Sequence, residues 1–124
     1  MAMMHAVIFL PWPDRRLSPN ARGHWSSLAR AKRAAKEAAF YLTKQAGVEK
    51  IQADSLTVRY SFFPPSRRAY DLDNLVASMK AAADGIALAI GVDDSKWNIA
   101  VSPRGPVERN GMVKVDLEWS EETA

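Results

Sequence analysis

Two periods run through the apolar positions of the chain, and the points where one gives way to the other mark its elements. Val7 to Leu10 is a short apolar run that predicts a buried strand. Pro11, Pro13 and Pro19 stop it, because proline has no amide hydrogen to give to a ladder. After a loop, Ser26 and Ser27 supply N-cap residue types. From there Leu28, Ala31, Ala35, Ala38, Ala39, Leu42 and Ala46 keep helical spacing as far as Gly47, a residue suited to ending a helix. Leu56, Val58, Tyr60 and Phe62 then alternate with Thr57, Arg59 and Ser61, the period of a half-buried strand, until Pro64-Pro65.

Residues 74 to about 90 return to helical spacing and close at Gly91. Asp93-Asp94-Ser95 predicts a turn and Trp97 to Val101 a strand. Val113, Val115, Leu117 and Trp119 predict a last strand, alternating with Lys114, Asp116 and Glu118. The expectation is one α+β domain over residues 1–119, a small mixed sheet with two helices in the order βαβαββ. Residues 120–124 are expected to be a disordered tail.

Length and composition narrow the chemistry. A chain of 124 residues, 48% apolar, can bury roughly two-thirds of its surface without staples. With no cysteine, disulfides, thiol nucleophiles and thiolate zinc sites are excluded. The apolar run Ala6 to Leu10 is too short for a signal-peptide core or a membrane span, so a soluble, cytoplasmic protein with no membrane partner is expected. No glycine-rich phosphate loop is present, and no nucleotide cofactor is expected.

The net charge of +3 conceals a segregation. Residues 1–60 carry ten Lys/Arg and four Asp/Glu, whereas residues 61–124 carry seven and ten. Arg15, Arg16, Arg22, Arg30, Lys32, Arg33 and Lys36 follow one another with no acid between them. Between Asp71 and Asp94 stand five acids and one base, Lys80.

On a helical wheel started at Asp73, Leu75, Met79, Ala82, Ile86 and Ile90 fall within about 80° of one another, which makes them the core stripe. Lys80 and Asp84 fall within about 20° of Asp73, on the opposite side. If Asp71 is extended and Asp73 caps the helix, their spacing points both carboxylates to one side. Asp94 joins them only if the loop after Gly91 folds back. Clustered carboxylates repel unless they protonate, pair with cations or hold a metal, and oxygen-only ligands select Mg²⁺ or Mn²⁺. Taken residue by residue, the same acids also serve as helix caps and turn formers, and the bases as a solvated helix face.

Seven bases interleaved with Asn20, His24 and Trp25 suit a phosphate backbone. A carboxylate cluster for Mg²⁺ beside such a surface is what phosphodiester hydrolysis requires, since cations absorb the charge that develops in the transition state. A metal-dependent nuclease is the synthesis of the two patches. The alternatives are a nuclease for flaps or other branched DNA, and a non-catalytic DNA-binding phage protein.

The residues that carry this synthesis resemble the RusA-type Holliday junction resolvases, a family common in phages and prophages. The likeness lies in Asp71-Leu72-Asp73-Asn74-Leu75 preceded by Arg67-Arg68, in Lys80 and Asp84, and in Gly91-x-Asp93-Asp94-Ser95. The opening Leu10-Pro11-x-Pro13 and the loop Asn20-x-Arg22 also look like the family. The resemblance implies a RusA-like fold and a homodimeric, Mg²⁺-dependent endonuclease that resolves four-way DNA junctions by symmetric cuts. It implies Asp71, Asp73 and Asp94 as metal ligands and Lys80 as the essential lysine. That lysine departs from the family pattern, where it follows the second Asp by four residues; Ala77 stands there, and Lys80 follows Asp73 by seven. Arg15, Arg16, Asn20, Arg22, Arg30, Lys32, Arg33, Arg67 and Arg68 are the expected DNA contacts.

Overall fold

Four strands assemble because each turns an apolar row to the same side. In a computed structural model, which describes residues 3–121, these are β1 (Met3–Pro11), β2 (Leu56–Phe63), β3 (Trp97–Val101) and β4 (Met112–Ser120). Their order across the sheet is β1-β4-β2-β3. β4 runs antiparallel to both neighbours and β2 runs parallel to β3, so the sheet is mixed. Ile8, Val115 and Tyr60 lie abreast on one face, as do Leu10, Val113 and Phe62, and all six are buried.

Three helices cover that face: α1 (Trp25–Gln45), α2 (Leu72–Ser78) and α3 (Lys80–Ile90). α2 and α3 make the crossover that a parallel pair such as β2 and β3 requires. The predicted stripe Leu75, Met79, Ala82, Ile86, Ile90 is buried throughout. α1 and α3 approach closely at Gly85, where a β-carbon would stand 2.2 Å from the Lys36 carbonyl oxygen. The chain is therefore a small single α+β domain.

Several boundaries differ from the sequence expectation, each for a local reason. β1 begins at Met3 rather than Val7, because β4 runs on to Ser120 and pairs with it along its whole length. Ser120 thus belongs to a strand and not to a tail; residues 122–124 lie outside the described residues. α1 starts at Trp25, capped by the His24 imidazole, which accepts from the Ser26 amide at 3.2 Å, in place of a serine cap.

The second helix is not one rod from residue 74 but two segments beginning at Leu72. The Ser78 hydroxyl donates to the Asn74 carbonyl at 2.8 Å and the Met79 amide tightens onto Val76 O. A hydroxyl bonded back four residues competes with the backbone ladder and bends a helix. Among the described residues, no helix is long and apolar enough to cross a membrane.

Candidate functional site

The start of α2 carries the first pair of candidate acids. Asp71, with extended backbone, is the N-cap, and its Oδ1 accepts from the amides of Asp73 at 2.9 Å and Asn74 at 3.3 Å. The cap is therefore Asp71 and not Asp73; Asp73 sits in the first turn, where its charge complements the helix dipole. Asp71 and Asn74 line a cleft of ≈ 430 Å³ that also receives Arg15 and Arg68, with Trp12 and Tyr70 in its wall. Residues from both halves of the chain, of opposite net charge, meet in this cleft.

Asp94 is not among the residues lining this cleft. Gly91, left-handed at φ 74°, reverses the chain after α3. The buried Trp97 indole then donates to Val92 O at 3.1 Å and fixes the fold-back. The loop does return, as the resemblance needs, but it delivers Asp94 to Lys80. The ammonium stands 2.5 Å from Asp94 Oδ2 and 2.9 Å from Asp84 Oδ1. These two carboxylates, Asp94 foremost, hold Lys80 above the usual lysine range. Asp93 is occupied with the turn itself: Ser95, through hydroxyl and amide, holds it below the usual carboxylate range. Buried Tyr60 lies within the field of Asp94 and Lys80; burial first, and Asp94 second, push its hydroxyl up to about 12.

Lys80 opens α3, beyond the break at Met79, whereas Asp71 and Asp73 stand at the start of α2. Among the described residues, no group of three or more His, Asp or Glu side chains is arranged to hold a metal ion. The donors fit a hard cation in kind, since all are carboxylate oxygens and no protein hydrogen bond engages Asp71 Oδ2, Asp73 or Asp94 Oδ1 among those residues. A divalent ion shared by all three requires these side chains to leave the arrangement described.

The basic residues divide by partner. Arg16 is bound in a fork to Asp14, at 2.7 and 3.0 Å, and donates to Ser27 Oγ at 2.9 Å, so its charge braces the loop against α1. In return it holds Asp14 down at about 2. Arg15, Asn20, Arg22, Arg30, Lys32 and Arg33 are exposed, as are Arg67 and Arg68. Arg68 lies over the Tyr70 ring, 4.8 Å from its centre. Three residues of this region carried no signal of their own in the sequence: Tyr60 reads as a core strand position, Tyr70 as a loop aromatic, and Arg104 as one cation in a proline-flanked loop.

No family model matches the chain. It is 40% identical over 91 residues to a protein of Xylella fastidiosa described as an uncharacterized protein. The match takes in 71% of this chain, and the chain covers 60% of that relative's length.

Proposed function

We propose that this domain is a RusA-like, metal-dependent endodeoxyribonuclease that cuts four-way DNA junctions by paired symmetric phosphodiester cleavage. It works as a homodimer in DNA recombination and repair, in the cytoplasm, from a phage or prophage source. The observation that carries the reading is the cleft in which Asp71 and Asn74 meet Arg15 and Arg68. The Asp71 carboxylate and two guanidinium groups converging on one hollow suit a phosphodiester held beside a divalent cation.

In this reading Asp71, Asp73 and Asp94 would hold Mg²⁺ or Mn²⁺, which when bound would supply charge neutralisation at a phosphate and a more acidic water. Arg15, Arg68 and Arg67 hold the flanking phosphates, while Arg30, Lys32 and Arg33 extend the basic track along α1. Lys80 keeps a fixed positive charge beside Asp94 and Asp84. Two-fold symmetry suits the task, because an isologous dimer presents two equivalent sites to the paired strands.

A second reading, a non-catalytic DNA-binding protein, is favoured by one feature: Asp94 is paired with Lys80, and among the described residues no three carboxylates are arranged to hold a metal. Purified protein incubated with labelled four-way, flap and linear DNA, in Mg²⁺ or in EDTA, separates the two. Junction cleavage in Mg²⁺ alone, lost in Asp73→Asn with binding retained, supports the resolvase. Preferential cutting of flaps transfers the same chemistry to another branched substrate, and binding with no cleavage establishes the second reading.

A further inference from the structure

We propose that Arg104 is the positioning residue of this cleft, a guanidinium brace from the β3–β4 loop that sets where Arg68 meets a phosphate. The phosphate half of the proposal rests on the nucleic-acid reading above; the brace itself does not.

The Arg104 guanidinium donates through Nη1 to Arg68 O at 2.7 Å and through Nη2 to Ser66 O at 2.8 Å. One rigid fork thus holds two carbonyls of the segment between β2 and α2. The same guanidinium lies 5.4 Å from the centre of the Tyr70 ring, over which Arg68 also lies. Tyr70 is fixed in turn, its hydroxyl 3.0 Å from Ser66 Oγ and its ring edge-on to Trp12 at 5.2 Å. Tyr70 adjoins Asp71, so the brace defines the approach to the α2 cap as well as the placement of Arg68.

Arg104 can act as a brace because its own backbone is anchored. Beyond β3 the loop continues to bond along β2: Ser102 N donates to Tyr60 O, Gly105 N to Phe62 O and Glu108 N to Pro64 O, at 2.9 to 3.0 Å. Lysine is not equivalent, since its ammonium is a flexible point charge without the rigid planar fork that fixes two donors side by side. The charge left over points to the ligand. Among the described residues, no carboxylate lies within ion-pair distance of Arg68 or Arg104, so two guanidinium groups share the Tyr70 ring with no counter-charge to offset their repulsion. An anion between them relieves that repulsion, and a forked guanidinium matches a phosphate.

Two measurements on Arg68→Ala, Arg104→Gln, Arg104→Lys and the Arg68→Ala/Arg104→Gln pair test the proposal. The first is the slope of log affinity against log salt for a four-way DNA junction in EDTA. Each lost phosphate contact lowers the slope by roughly 0.9. If Arg104 acts through Arg68, each single variant loses about one contact, lysine at 104 does not restore it, and the double variant loses no more than either. An additive loss, or rescue by lysine, overturns the positioning role, because Arg104 then grips a phosphate itself.

The second measurement needs no DNA: the rate of tryptic nicking after Arg67 and Arg68 in the free protein. Removal of two charge-assisted bonds predicts nicking roughly tenfold faster in both Arg104 variants. Unchanged nicking overturns the brace. Wild-type protein that binds neither junction nor linear DNA overturns the nucleic-acid reading and the phosphate role with it, while the nicking rates still decide the brace.

Discussion

Lys80 and Asp94, fourteen residues apart in the chain, are joined by an ion pair of 2.5 Å across the start of α3. The same ammonium holds Asp84, so one exposed lysine organises two carboxylates from two elements. Pairs this accessible contribute about 0–1 kcal/mol to stability, because water screens them and long side chains lose entropy. The pair is better placed to organise a site than to hold the fold together.

Lys80→Met tests that assignment. The expected cost in melting temperature is a few degrees at most, about what 1 kcal/mol produces in a domain of this size. Junction cleavage is expected to fall roughly 10²–10³-fold, the usual loss when one stabilising charge leaves a phosphoryl site. Junction binding in EDTA should persist. Since Asp94 and then Asp84 hold the Lys80 proton above the ordinary value of 10.5, the ammonium stays charged through neutral and mildly alkaline pH. The pH–rate profile should then show no alkaline limb from this group below pH 10. Junction cleavage by Lys80→Met at the wild-type rate removes Lys80 from the proposed site.

Tyr60 predicts a signature at high pH. Burial raises its hydroxyl from 10.0 to about 12, with the Asp94 charge acting in the same direction. The unfolded chain releases the proton first. Stability is therefore full below pH 10 and declines as pH rises through about 12. The slope in that window approaches 1.4 kcal/mol per pH unit. Urea unfolding of wild type and Tyr60→Phe should agree at pH 8 and diverge above pH 10, with the phenylalanine variant holding the flatter curve. Parallel curves would mean that the Tyr60 hydroxyl reaches solvent freely.

Gly85 predicts a reversal of sign. In an open helix, glycine to alanine stabilises by about 0.5–1 kcal/mol. At Gly85 the new methyl meets the Lys36 carbonyl oxygen at 2.2 Å and the Phe40 amide nitrogen at 3.1 Å, both backbone atoms that cannot swing aside. The expected result is a loss of about 1–3 kcal/mol in chemical denaturation as α1 and α3 are forced apart. Gly23→Ala, with no atom within 4 Å, is the control that should stay near neutral. A stabilised Gly85→Ala would show that the two helices separate at little cost.

What the sequence revealed and concealed follows the reach of each interaction. The buried rows of β2 and β4, and the stripe from Leu75 to Ile90, were legible because periodicity is a property of one element and its own two sides. The first residues of β1 were not, since Met3 to Ala6 are strand only by pairing with Leu117 to Ser120. The shift of the cap from Asp73 to Asp71 turned on one carboxylate taking two amides.

The break before Met79 depended on a hydroxyl that looks like any other polar position. For the site, the residue types and their charges were readable, but which acid faces which base was not. That Asp94 meets Lys80 depends on the φ of Gly91 and on an indole bonded to Val92 O. The partners of Arg104 stand 36 and 38 residues away, beyond any local pattern.

The cap role of Asp71 and its proposed metal role can be parted by substitution. Its Oδ1 caps α2, and its Oδ2 has no protein hydrogen bond among the described residues, leaving it for a cation. Asparagine caps a helix as well as aspartate does, whereas alanine removes the cap at a cost of about 1 kcal/mol. Asp71→Asn should therefore melt near wild type and Asp71→Ala a few degrees lower.

If the carboxylate is a metal ligand, both variants lose Mg²⁺-dependent cleavage together and both weaken Mn²⁺ binding measured by calorimetry, despite their different stabilities. If Asp71 is only a cap, Asp71→Asn keeps cleavage and Mn²⁺ affinity at wild-type levels, and any deficit in Asp71→Ala follows its melting temperature. The charge separates the hypotheses because the cap needs only an acceptor oxygen, whereas a divalent ion selects the ionised carboxylate.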